Sequence, residues 1–156
     1  MNMPSTAAAP RAAGMALQPV TVGHALILQE LRSPFASPLP CHAEIGEVAV
    51  ALAVLCRPYR QVARWPRLWA VWACLHVFSE VGAGSAARAI RAHLERARDG
   101  LGGLFLGEEA ALDPIARLFW DLRLKLAKSK ADVLEIPLDQ AITLVRSTGG
   151  TGPAHN

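Results

Sequence analysis

The sequence predicts an all-α fold: a small single-domain bundle of about five to six helices with disordered ends. Three observations carry that expectation. Apolar residues recur at helical spacing behind recognisable capping residues, of which Thr21 and the pair Asp113-Pro114 are the clearest. Proline and glycine punctuate the chain between those stretches. No stretch alternates apolar and polar residues over four or more positions with β-branched enrichment, and no internal repeat is visible. With 156 residues the chain has the size of one domain. A chain of that length hides roughly 68–70% of its unfolded surface.

Residues 1–16 are rich in Ala and Pro and nearly uncharged, and are expected to be a disordered leader because they offer little to bury against the entropy of ordering. The helical domain is placed at 17–148 and a flexible Gly-rich tail at 149–156. The first helix opens at Thr21 and runs through VGHALILQELR to Ser33-Pro34, since a residue before proline is pushed out of the helical region. Ser33 to Pro40 holds three prolines and is expected to be extended. The second helix covers about His42 to Arg57; its inner half, VAVALAVLC, is apolar on all sides and should be the most buried element.

A third helix is expected over about Gln61 to Val81, broken near Arg64–Trp65 by Pro66 and closed by Gly82 and Gly84. The fourth starts at Ser85 as N-cap and carries Ile90, Leu94, Ala97 and Leu101 inward, with Arg91 and Glu95 paired outside. After the loop GLGGLFLGEE, the fifth helix begins at Pro114. It buries Ile115, Leu118, Phe119, Leu122 and Leu126 and ladders Arg117, Asp121 and Lys125 along another face. A broken segment restarts at Ile136-Pro137, with Leu138, Ile142 and Val145 facing inward.

Composition narrows the function classes. Hydrophobic residues are 52% and charged residues 19% of the chain, against about 25% charged in an average domain. That surplus of apolar surface points to a protein interface or a membrane contact. The net charge of +3 is only mildly basic; a dedicated nucleic-acid binder shows a denser Lys/Arg patch, so none is expected as partner. The apolar runs Val48–Cys56 and Leu68–Val77 are shorter than the ~18–20 residues of a spanning helix. Met1–Leu17 lacks the basic start and apolar stretch of a secretory signal. A cytoplasmic protein without a transmembrane segment is the expectation.

No catalytic, metal or cofactor site is expected. Cys41, Cys56 and Cys74 stand apart from one another, unlike paired zinc ligands, and read as reduced, buried small hydrophobes even with His42 and His76 near by. Glu44, Glu47 and Glu80 read as solvated helix faces. The glycines at 82 and 84 precede a helix, but no strand comes before them and no G-K-[ST] follows, so they read as a turn. The segment that stands out is aromatic and basic. Trp65, Trp69, Trp72 and His76 recur at i, i+4, i+7 and i+11, and Tyr59, Arg60, Arg64 and Arg67 crowd the same end. Core packing, a protein interface and base stacking all suit such a ridge; these eight residues are the candidate protein-binding site.

Several short pieces together resemble the tail assembly chaperones of long-tailed bacteriophages and prophages. They are Val22-Gly23-His24-Ala25-Leu26, Leu31-x-Ser33-Pro34-Phe35, Cys56-Arg57-Pro58-Tyr59 and Glu135-Ile136-Pro137-Leu138 ahead of a last helix, within residues 20–146. The Ala/Pro-rich leader and Gly-rich ending depart from that pattern. The resemblance implies a non-enzymatic protein that binds the long helical tape measure protein in the host cytoplasm until tail tube proteins polymerise around it. It leaves homo-oligomerisation open. A structural adaptor of the phage particle (a neck or tail-completion subunit), or a helical protein lying on a membrane surface, are the alternative expectations.

Overall fold

A computed structural model of the chain describes residues 9–37, 39, 41–64, 71–73, 75, 82–105 and 113–149. These are mostly helical, as the sequence predicts. Residues 1–8 and 150–156, expected as parts of the leader and tail, lie outside the described residues.

The described part of the leader departs from the expectation. Arg11–Ala12 (β1) and Met15–Ala16 (β2) pair antiparallel, with Ala12 opposite Met15. The turn between them holds Ala13 at φ 49° and Gly14 at φ 76°, the left-handed pair that matches strand twist in a two-residue hairpin. Ala12 and Met15 are buried. The apolar surface of these two residues is what orders a segment that composition alone reads as disordered.

Helix α1 spans Val22–Glu30. Thr21 Oγ1 accepts the His24 N–H at 3.1 Å, and the Thr21 N–H donates to His24 Nδ1 at 3.1 Å; this is a capping box with histidine where Glu or Gln is usual. The helix ends before Ser33-Pro34. Arg32 N–H donates to the Gln29 carbonyl at 3.0 Å and Ser33 N–H to that of Leu28 at 2.9 Å. Those two bonds form a Schellman motif with Arg32 at φ 54°. The connector is not wholly extended: Pro34–Ala36 forms a 3-10 turn that buries Phe35.

Helix α2 spans Ile45–Leu55, and every residue from Ala51 to Leu55 is buried. Pro58 ends it but also opens α3, Tyr59–Val62. The third helix, expected over about 61–81, starts two residues earlier than expected and gives way to a turn at 63–64, next to the expected break near Arg64–Trp65; residues 71–73 are helical, and 65–70, 74 and 76–81 lie outside the described residues. Helix α4, Ala83–Ala97, starts earlier than expected, with Gly82 at φ 76° as its N-cap rather than Ser85. Arg91 does not sit on Glu95: its guanidinium bonds the Cys41 carbonyl and lies 5.1 Å from the Phe35 ring centre.

Helix α5, Pro114–Lys125, starts where the sequence puts it, with Asp113 Oδ1 accepting the Ile115 N–H at 3.0 Å. Its charged ladder is present, Arg117 at 3.2 Å and Lys125 at 3.4 Å from Asp121. Helices α6 (Lys130–Glu135) and α7 (Leu138–Gly149) follow, and Leu138, Ile142 and Val145 are buried.

Helix α1 packs against α2, α5, α6 and α7, while α4 packs against α2 and β1. The start of α1 is tied to the α6–α7 joint: Val22 N–H donates to the Ile136 carbonyl at 3.0 Å, and Leu138 N–H to that of Val20 at 2.7 Å. Proline at 137 has no N–H to offer, which leaves the joint free to pair on its flanks. No helix among the described residues is long and apolar enough to cross a membrane.

Candidate functional site

Three sequence pieces that are far apart in the chain meet at the start of α1. Val22-Gly23-His24, Arg57-Pro58-Tyr59 and Glu135-Ile136-Pro137 face one another there. Gly23 permits the approach, because a Cβ on it would overlap the Tyr59 ring and lie 2.7 Å from the Leu134 carbonyl oxygen.

His24 is buried and doubly bonded. Its Nδ1 accepts from the Thr21 N–H, so Nε2 carries the proton and donates to the Arg57 carbonyl at 2.8 Å. The Tyr59 ring packs edge-on against it, with centroids 6.2 Å apart. Burial lowers the His24 pKa from its ordinary value, the bond to the Arg57 carbonyl partly opposes this, and the charge of His93 adds to the lowering. The ring therefore stays neutral near pH 7 and ties α1 to the α2–α3 joint.

On the surface above it, Arg60 forms a two-point ion pair with Glu135, Nε to Oε1 at 2.6 Å and Nη2 to Oε2 at 3.1 Å. This pair and Tyr59 stand between two clefts. One, about 530 Å³, is walled by Pro19, Pro58 and Pro137 with His24 at its base. The other, about 660 Å³, runs past Ala63 and Arg64 to Lys130 and Leu134. The Tyr59 hydroxyl is pushed above its usual pKa by burial and by the carboxylates of Glu135 and Glu30. It remains a neutral donor and acceptor, and Tyr59 lines both clefts.

Of the candidate binding residues, Tyr59, Arg60 and Arg64 are thus brought together around the clefts. Trp72 is 43% exposed, so it is no core residue, and the Arg57 guanidinium lies 5.2 Å from its ring centre. Through Arg57 it connects to His24. Val71 and Leu75 beside it are exposed as well, at 65% and 67%. Trp65, Arg67, Trp69 and His76 lie outside the described residues.

Sequence reasoning did not place His24, Glu135 or Pro137 in a site, although the resemblance had picked out the pieces that contain them. The signal was the histidine three residues after an N-cap threonine, where a capping partner belongs. The remaining piece, Ser33-Pro34-Phe35, serves the end of α1 and the core instead.

The cysteines differ from the expectation at one position. Cys41 is exposed and its thiol donates to the Pro34 carbonyl at 3.2 Å. Cys56 is half-buried and its thiol pKa is pushed up by burial, the reverse of what an activated nucleophile needs; Cys74 lies outside the described residues. Glu44 and Glu47 are exposed, and Glu47 accepts the Glu44 N–H at 2.8 Å at the start of α2. Glu80 lies outside the described residues. Among the described residues no group of three or more His, Cys, Asp or Glu converges as metal ligands do. No family model, no curated protein and no solved structure matches the chain.

Proposed function

We propose that this chain is a tail assembly chaperone of a long-tailed phage or prophage, holding an amphipathic helical client, the tape measure protein, in the host cytoplasm during assembly. One observation supports the reading most. Three of the short pieces that carry the resemblance come from separate elements and yet build one junction, flanked by two clefts and linked through Arg57 to the exposed Trp72, with Val71 and Leu75 exposed near it in sequence.

The physics of helix binding fits this surface. An amphipathic helix lays its apolar face into a groove and is read at a few anchor positions. Fully burying one large apolar side chain gives about 1.5–3 kcal/mol, whereas association costs at least about 4 kcal/mol. Trp72 and Leu75 alone barely meet that cost, so a client must also fill the clefts around Tyr59. A long helical client that touches several anchors suits such a surface better than a small ligand does. The role is one of binding and release, without chemistry on the client.

The test is affinity capture of the tagged chain from its native cells, with co-purifying proteins identified by mass spectrometry. The proposal expects one very long, coiled-coil-rich protein to dominate, and the chain to be absent from finished particles. Persistence of the chain in purified particles would replace the proposal with the structural-adaptor reading. A chain recovered alone would count against both.

A further inference from the structure

His24 stands at the third position of α1, where a capping box ordinarily carries Glu or Gln. Both of its ring nitrogens are committed in the neutral form: Nδ1 accepts the Thr21 N–H at 3.1 Å and Nε2 donates to the Arg57 carbonyl at 2.8 Å. A proton added to the ring must enter at Nδ1, between the ring and a backbone N–H. The Thr21 hydroxyl, 3.0 Å from Nδ1, can turn to accept that proton. The Thr21 N–H cannot turn, so two donors are left facing each other. The added charge also lies buried in the first turn of a helix, the end where a cation is disfavoured.

The cleft hangs on this cap. Bonds on either side of Thr21, from Val22 N–H to the Ile136 carbonyl and from Leu138 N–H to the Val20 carbonyl, tie the start of α1 to the α6–α7 joint. Thr21, His24, Tyr59 and Pro137 are walls of one cleft. Around the ring stand His93 of α4, whose charge opposes a second cation, Arg57 at the end of α2, and the edge-on Tyr59. Across the cleft, Arg60 of α3 holds Glu135 of α6 at 2.6 Å. Further charges belong elsewhere. Glu44 and Glu47 lie at the opposite end of α2, Asp113 of α5 is bonded by Gln29 near the far end of α1, and Asp139 of α7 accepts the Gln140 N–H.

We propose that His24 is an acid-operated latch: proton uptake by its ring undoes the cap of α1 and lets the walls of the cleft part. As regulation of client binding, the latch rests on the function proposed above. A client held at neutral pH is then released in acid.

The test is hydrogen exchange on the full chain, read by mass spectrometry at pH 7.5 and 5.0 and corrected for intrinsic rates. With the ordinary histidine pKa of 6.5 in the opened state, protection of residues 20–24 should fall about five- to thirtyfold relative to 48–55. His24→Gln keeps an acceptor for Thr21 and a donor for Arg57 but does not titrate, so its protection should not change with pH. His93→Gln should keep the fall. Unchanged protection in the wild type overturns the proposal, and so does an equal fall in folded His24→Gln. A fall lost in His93→Gln also overturns it, by moving the latch to α4. A client captured at pH 7.5 should leave the wild type at pH 5.0 and stay on His24→Gln. Retention by an opened wild type would overturn the gating. If no client is captured at either pH, the proposed function fails, and exchange still decides the latch.

Discussion

Two apolar stretches of this chain read alike in sequence and are used in opposite ways. Val48–Leu55 is enclosed on nearly all sides by α1, α4 and their neighbours. Around residues 71–75, Ala73 is buried but Val71, Trp72 and Leu75 face outward. Hydrophobicity decides that each stretch avoids water; which one obtains internal partners is decided by the connections around it. Helix α2 has partners on both sides of the sequence, whereas Val71, Trp72 and Leu75 leave apolar surface exposed among the described residues. The first stretch should answer to stability measurements and the second to binding measurements.

The largest expected effect on stability is in α2. Leu52→Ala should cost about 2–5 kcal/mol, because it removes a fully buried side chain and leaves a cavity; chemical denaturation measures it. A loss under about 1 kcal/mol would mean that α2 is not the centre of the core. Gly23→Ala should cost about 1–3 kcal/mol by forcing α1 and Tyr59 apart. It should also reduce client binding, since the clefts share Tyr59.

Acid should loosen the junction more than the apolar core. His24 and His93 both have pKa values lowered chiefly by burial, with bonds to the Arg57 and Gln18 carbonyls partly opposing. Neither shift affects stability well above pH 6.5, where folded and unfolded forms are both neutral. As pH falls below 6.5 the unfolded chain takes up protons that the folded chain resists, so stability declines. Thermal melts from pH 7.5 to 5.0 should show that decline, and His24→Gln should reduce it. A flat profile would contradict the neutral, clamped His24.

A small gain is expected from Arg32→Gly. Arg32 holds a left-handed conformation at the end of α1 that glycine adopts freely. The thermal midpoint should rise by the equivalent of about 0.5–1 kcal/mol, and a fall would show that the Arg32 side chain contributes more than its backbone strain costs.

Much of the fold was legible because local chemistry decides it. Thr21, Asp113 and Pro114 mark their helix starts, and the Asp121 ladder follows from i,i+4 spacing alone. The hairpin at 11–16 was not legible, since Ala12 and Met15 are ordered by tertiary burial that composition does not reveal. Arg91 escaped for a related reason: its partners Cys41 and Phe35 come from a distant connector. Gly82 took the cap from Ser85 because its positive φ lets the chain turn into α4 earlier. The candidate site was half legible. Tyr59, Arg60 and Arg64 stand out by residue type, while His24 and Glu135 join them only through long-range contacts.

The most direct test of the contrast between the two stretches is a triple variant, Val71→Ser with Trp72→Ala and Leu75→Ser. Its thermal stability and its capture of co-purifying protein from native cells would be compared with those of the wild type. The account predicts a midpoint lowered by the equivalent of under about 1 kcal/mol, together with loss of the long helical client. Unfolding of the variant would show that this surface belongs to the core, and undiminished capture by a folded variant would show that the client is held elsewhere.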